Sequence, residues 1–254
     1  MINQAEPITR IFRLTEEESN VTIMAASDVD GFFTRNPGEA GAIQLFDVEG
    51  AVQAYPTLLH DIELQILDRR GKNIGGYYVG EVSLQGLHRH RDNVNTDTTN
   101  AIASFFGYTC PYPEARQFWQ VWSRSRPVET GEWRRYHWST HASWLHVVQQ
   151  VWFRTGHEAR RYRNDERCTL DTRGLMTVAS LYCALGEAVN GPGGYFGSNP
   201  SALDDCLCQS SSAPFTLEWF GFAEARERLN EDEEIDIIAS ILESHNARIV
   251  YKDL

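Results

Sequence analysis

The chain has 254 residues, which is enough for one large domain or two ordinary ones. Hydrophobic residues make up 42% of it and charged residues 23%, as is normal for a globular protein. The net charge of −12 argues against direct binding to nucleic acid, because phosphate contacts need a basic face. It favours a basic protein as partner.

The negative charge is concentrated near the end of the chain. Residues 166–254 hold fifteen acidic and six basic side chains, so they contribute nine of the twelve net negative charges. An acidic surface also keeps a protein in solution, so the charge alone does not identify a function.

The lack of a recognisable targeting signal and the pattern of cysteines predict a cytoplasmic protein with no membrane partner. The sequence contains no apolar run of about eighteen residues, and its first twelve residues do not form a signal peptide. The five cysteines are odd in number and irregularly spaced, which favours reduced thiols over a disulfide framework. No motif predicts a cofactor.

The first part of the chain predicts an α+β domain with a strand-rich start and helices after it. Short apolar or alternating runs predict strands over 8–14, 21–26 and 42–46. Residues 61–67 alternate with period two, and a turn over 68–73 leads into a strand over 74–87, which predicts a hairpin. Helices are predicted over 96–106 and 113–123.

A third helix is predicted over 139–155, with Ser139 as its N-cap and Gly156 at its end. Residues 157–167 are polar and charged throughout, as is typical of a domain boundary. The sequence therefore predicts an N-terminal domain of unknown function over 1–162 and a second domain over 163–254.

The second domain predicts an α/β fold. Strands are expected over 167–171, 215–219 and 248–251, and helices over 175–189, 200–208, 222–229 and 233–244. That order implies a three-stranded parallel sheet covered by helices.

One helix of this domain carries two adjacent acids. Asn199 followed by Pro200 predicts a capped helix start. Leu203, Cys206 and Leu207 share one face by their i, i+3, i+4 spacing, so the other face exposes Ser201, Asp204, Asp205 and Cys208. The glycines at 193, 194 and 197 allow the preceding loop to bend and bring backbone close to a partner.

These residues resemble the barstar family of ribonuclease inhibitors over about residues 167–254. The matching positions are Tyr195, Gly197, Asn199, Ala202, Leu203, Asp205, Cys206, Leu207, Pro214, Leu217, Glu218 and Trp219. The resemblance implies a barstar-like fold and an inhibitor in which Asp205 is the central contact and Tyr195 flanks it. It assigns a further contact to Glu243. The first two thirds look similar to the N-terminal region of longer bacterial barstar-family proteins.

The contact face departs from the family pattern. Ser201 stands where the family has an aspartate one turn before the central one, and Asp204 replaces a tryptophan. The resemblance therefore implies an immunity protein or antitoxin against a basic ribonuclease toxin, and the departures keep open a non-ribonuclease toxin or a regulatory partner. The expected partner-binding residues are Tyr195, Gly197, Asn199, Ser201, Asp204, Asp205 and Glu243.

Other motifs are weak. A metal ion could bind to His88 and His90 or to His137 and His141, but no acidic ligand accompanies these histidines at the spacing of a metal site. Asp28-Val-Asp30-Gly31 begins like a calcium loop whose remaining ligands are missing. Serines 210–212 are expected to be a solvated loop. No metal site and no enzyme are predicted. The role of the N-terminal domain stays open between a second toxin contact, oligomerisation and support of its neighbour, and so does the oligomeric state.

Overall fold

A computed structural model of the chain describes residues 9–35, 39–50, 57–91, 97–209, 214–229, 233–245 and 247–252. The chain divides into two compact units, Met1–Ser125 and Arg126–Leu254. Throughout the described ranges, no helix has the length and apolar character that crossing a membrane requires.

The described residues of the first unit form an eight-stranded antiparallel sheet and one helix. The strands lie in the order β3-β4-β8-β7-β6-β1-β2-β5. Their bounds are β1 Phe12–Glu16, β2 Thr22–Ala26, β3 Asp28–Asp30, β4 Glu39–Phe46, β5 Glu49–Gly50, β6 Thr57–Leu67, β7 Asn73–Arg91 and β8 Asp97–Tyr108. Helix α1, Ala115–Arg124, buries Phe118, Trp119 and Trp122. The strand-rich start with a helix after it is confirmed.

The predicted hairpin is formed by β6 and β7. At its turn, Oδ1 of Asp68 accepts hydrogen bonds from the backbone N–H groups of Arg70, at 2.8 Å, and Lys72, at 2.9 Å. This local bonding is why an aspartate followed by glycine favours a turn. Gly71 has a φ of +75° in this turn, a left-handed backbone conformation that residues with a side chain rarely adopt.

The helix predicted over 96–106 is wrong, because residues 97–108 form strand β8. Ala101, Ala103 and Phe105 are buried, whereas Phe106 is exposed, so burial alternates with period two. The β8 strand pairs with β7 on one side and β4 on the other. This pairing in the sheet overrides the helix propensity that the two alanines contribute.

The second unit contains the predicted parallel sheet. Its three strands, β9 Arg167–Asp171, β10 Phe215–Phe220 and β11 Ala247–Lys252, are all parallel, with β10 in the centre. The helices are α2 His141–Arg154, α3 Val178–Asn190, α4 Pro200–Cys208, α5 Phe222–Leu229 and α6 Glu234–Ser244. Short 3₁₀ helices cover Glu132–Arg135 and Trp138–Thr140. The α/β fold class is confirmed.

Two helices begin later than the sequence indicates. Ser139 is not the N-cap of α2, since it lies in the 3₁₀ turn that His137 caps, and α2 follows Thr140. Helix α3 begins at Val178 and not at 175, because the side chain of Thr177 accepts a hydrogen bond from the N–H of Ser180 at 3.1 Å. Such a cap fixes the first turn.

Residues 126–162 pack within the second unit, where α2 contacts α3. The compact units thus divide at Ser125, whereas the sequence pattern predicts a boundary between 162 and 163. The apolar stripe of α2 gives the physical reason, because Trp144, Val148 and Val151 are buried in that unit. The domain boundary between 162 and 163 stays a prediction.

Candidate protein-binding site

Helix α4 starts at the capping signal that the sequence predicts. The side chain of Asn199 accepts a hydrogen bond from the N–H of Ala202 at 2.8 Å, and Pro200 stands in the first turn. The first backbone N–H groups of a helix have no acceptor inside it. The side chain of Asn199 supplies an acceptor for one of them, and Pro200 has no N–H that needs one. Asn199 is exposed, but its Oδ1 is already used by the cap.

The two faces of α4 are those predicted from its spacing. Leu203, Cys206 and Leu207 are buried. Ser201 and Asp205 are exposed on the other face, and Asp204 is half exposed. The helix therefore presents its polar side chains on a rigid, capped support.

The two adjacent acids have different surroundings. Oδ1 of Asp204 lies 2.8 Å from Nε2 of His245, which follows α6, and the pair is ionic when the imidazole is protonated. Asp205 is exposed, and within the described ranges its carboxylate has no hydrogen bond or ion pair. A cationic group of a partner can therefore reach Asp205 without breaking a contact among the described residues.

Tyr195 and Phe196 lie inside the protein. Tyr195 is only 2% exposed and Phe196 is fully buried. The Tyr195 hydroxyl is 3.3 Å from Oγ of Ser198, its ring meets that of Phe153 edge-on, and burial raises its pKa. Tyr195 supports the loop from within and offers almost no surface in this conformation. Its role as a flanking contact stays a prediction.

Gly197 packs against the protein's own helix. Its φ is +95°, and a Cβ there would lie 2.8 Å from Cα of Leu203 on α4. The close approach that the glycine-rich loop predicts thus occurs at α4. The loop and the helix form one packed element, which fixes the direction of Asp205.

A buried carboxylate that the sequence did not single out holds this loop. Glu187 on α3 is 4% exposed and accepts three N–H groups, from Gly131 at 2.7 Å, Trp133 Nε1 at 3.0 Å and Gly193 at 3.1 Å. Burial raises its pKa although these bonds act in the opposite direction. Glu187 is the one charged residue of α3, and an acid in an otherwise uncharged, largely apolar helix is the sequence signal that could have revealed it.

Asn190 holds the same loop from the end of α3. Its Nδ2 donates to the carbonyls of Tyr195, at 2.8 Å, and Arg160, at 3.1 Å, and its Oδ1 accepts from the N–H of Tyr162 at 2.8 Å. Both Glu187 and Asn190 therefore connect the loop before α4 to residues 131–162.

Glu243 is exposed on α6, the helix that packs against α4. The structure thus places Asn199, Ser201, Asp204 and Asp205 on one helix and Glu243 on its neighbour. Tyr195 and Gly197 lie in the loop that leads into α4. Their roles in binding a partner stay predictions.

The other candidate motifs have structural roles or lie outside the described residues. Both ring nitrogens of His141 are used, by Oγ of Ser180 at 2.7 Å and the carbonyl of Tyr136 at 3.2 Å, and the ring packs on Trp133. Asp28 and Asp30 both pair with Arg116. The side chains at 88 and 90 and the serines at 210–212 lie outside the described residues.

One group of metal-ligand type does form near α4. Asp204, Cys208 and His245 have ligand atoms within 4.8 Å of one another. The sequence predicted no metal site, and it could not indicate this one because His245 is 37 residues from Cys208.

A comparison with known protein families agrees with this fold, which combines α4, the loop before it and a three-stranded parallel sheet. Residues 166–252 match the model described as Barstar (barnase inhibitor). The C-terminal segment matches the barstar family. We call residues 166–252 the barstar-like domain; it covers about a third of the chain and begins close to the predicted boundary at 162. No curated protein matches the sequence.

Proposed function

We propose that the barstar-like domain is a proteinaceous inhibitor, an immunity protein or antitoxin, that blocks the active site of a ribonuclease toxin. In this proposal α4 and the loop before it form the contact surface, and the protein acts in the cytoplasm of a bacterium. The observation that carries the proposal is Asp205, an exposed carboxylate on a capped helix with no hydrogen bond or ion pair among the described residues.

A ribonuclease active site is a concave, cationic pocket that holds phosphate. A carboxylate fixed on a rigid helix can occupy the place of the phosphate. Asn199 and the packing of Gly197 on Leu203 hold this helix in place, so little conformational entropy is lost on binding. The charge on residues 166–254 would also steer a basic partner and raise the association rate.

The proposal is tested with the full chain and a basic ribonuclease of the barnase class. We expect stoichiometric inhibition of RNA cleavage and an association rate that falls steeply as salt is raised from about 10 to 500 mM, because screening weakens steering. Full ribonuclease activity in the presence of excess protein at low salt would refute the proposal for this class of enzyme.

A second candidate is a binding module for a non-ribonuclease toxin or a regulatory protein. The observation that favours it is the contact between Asp204 and His245, which partly occupies one of the two acids, together with Ser201 at a family aspartate position. Protection of cells against a toxin without nuclease activity, with no effect on ribonucleases, would favour this candidate over the first.

A further inference from the structure

Three side chains of different chemistry meet where the end of α4 lies beside the end of α6. Asp204 and Cys208 are one helical turn apart on α4, and His245 follows α6. Nε2 of His245 is 2.8 Å from Oδ1 of Asp204 and 3.9 Å from Sγ of Cys208. Sγ is also 3.9 Å from Oδ2 of Asp204. The two contacts of Asp204 use different carboxylate oxygens, and one ligand atom from each of the three residues lies within 4.8 Å of the other two.

This arrangement differs from that of a nucleophilic cysteine. In a Cys-His-acid triad the thiol and the acid contact opposite nitrogens of the imidazole, so that one orients the ring and the other exchanges a proton. Here the carboxylate and the thiol both face Nε2 of His245. Coordination of one ion requires the ligand atoms to converge on one position, and here the carboxylate and the thiol both lie on the Nε2 side of the ring.

The distances are close to those of a coordinated zinc ion. Zinc bonds of about 2.0–2.3 Å in a tetrahedral arrangement hold the ligand atoms about 3.4–3.6 Å apart. The carboxylate and imidazole would separate by about 0.6 Å and the sulfur would approach by about 0.3 Å. Rotations of exposed or half-exposed side chains can supply these movements without a change in the backbone.

We propose that Asp204, Cys208 and His245 form a binding site for Zn²⁺. Thiolate and imidazole ligands select zinc over calcium and magnesium, which prefer oxygen. Cys208 is exposed and Asp204 is half exposed, so a fourth coordination position faces solvent and accepts water. The other four cysteines are buried, so Cys208 is the thiol that a metal ion can reach.

Zinc binding releases protons because the ligands coordinate in their deprotonated forms. The Cys208 thiol loses its proton to solvent, and Nε2 of His245 presents its lone pair to the ion. Desolvation and the neighbouring Asp204 and Asp205 raise the pKa of the Cys208 thiol. Affinity for the ion therefore rises with pH, because protons compete with the ion for the ligand atoms.

The test uses the full chain without a histidine tag and without any protein partner, so its outcome is independent of the proposed inhibitor function. Co²⁺ serves as a spectroscopic probe, followed by competition with Zn²⁺. We expect one equivalent of Co²⁺ to give a sulfur-to-metal charge-transfer band and the strong visible bands of a tetrahedral ion, and Zn²⁺ to abolish both. Zn²⁺ should also protect Cys208 from an exposed-thiol reagent.

The matched variants separate this site from others. Cys208→Ser should abolish the charge-transfer band, and His245→Gln, which keeps an amide beside Asp204, should weaken Zn²⁺ binding by about tenfold or more. Glu227→Gln changes an exposed acid on α5, which is outside the cluster, and should leave the Zn²⁺ affinity unchanged. Absence of the charge-transfer band in the wild type, or its persistence in Cys208→Ser, would overturn the proposal.

Discussion

The indole Nε1–H of Trp133 donates a 3.0 Å hydrogen bond to the buried carboxylate of Glu187. The same side chain accepts the backbone N–H of Gly193 in the loop before α4. Trp133 lies well before residue 166, where the family match begins. The loop that precedes the proposed contact helix is therefore held in part by residues outside the barstar-like domain.

This buried acid gives the protein a defined pH response. Burial raises the pKa of Glu187, so the folded state holds its proton more tightly than the unfolded state does. The contribution of Glu187 to stability is thus complete below the ordinary pKa of 4.5 and declines as pH rises through the folded pKa. Relative to Glu187→Gln, the wild type should lose unfolding free energy as pH rises above 4.5, as measured by urea denaturation. A relative gain over that range would contradict this assignment.

Gly197→Ala should destabilise the second unit by about 3 kcal/mol, because it combines a left-handed backbone with a clash against Leu203. Gly156 is the matched control, since its φ is +87° and nothing lies within 4 Å of a Cβ there. Gly156→Ala should cost only about 1 kcal/mol. Equal losses in thermal unfolding would show that Gly197 does not pack closely on α4.

Removal of the α4 cap should loosen the proposed contact helix. Asn199→Ala takes away the acceptor for the N–H of Ala202 and should reduce unfolding free energy by about 1 kcal/mol. Asn199→Ser keeps an acceptor and should stay within a few tenths of the wild type. Hydrogen exchange at Ala202 provides a local readout, and unchanged exchange in Asn199→Ala would argue against the cap.

His146 on α2 should titrate at acid pH. Burial lowers its pKa from 6.5 to about 4, so the folded state favours the neutral ring. Its contribution to stability is present above pH 6.5 and is lost as pH falls toward 4, by about 2 kcal/mol. NMR titration of the ring checks the pKa, and His146→Gln should remove this part of the acid sensitivity. A measured pKa near 6.5 would be inconsistent with burial of the ring.

The scaffold of the site was predictable from the sequence because its signals are local. Asn199-Pro200 and the spacing of Leu203, Cys206 and Leu207 indicated the start and the faces of α4, and both are confirmed. The supporting contacts were not predictable, since Glu187 meets Gly131 and Trp133 across more than fifty residues. The error at β8 has the same origin, because its partners in the sheet outweigh its local alanine content.

The contact between Asp204 and His245 likewise joins residues 41 apart. It changes the expectation for the two adjacent acids, because only Asp205 remains without an internal partner in the described part of the chain. Sequence spacing alone treats the two as equivalent.

Asp205 is proposed to make the main contact with a cationic ribonuclease site, and the dissociation constant of an Asp205 variant is the most direct test of that role. Against a barnase-class ribonuclease, Asp205→Ala should weaken binding by about 2 kcal/mol or more, which is about 30-fold, because a cationic pocket is left unpaired. Glu227→Gln removes an exposed charge on α5 and should change the dissociation constant by less than about threefold. Equal dissociation constants for the wild type and Asp205→Ala would contradict the account.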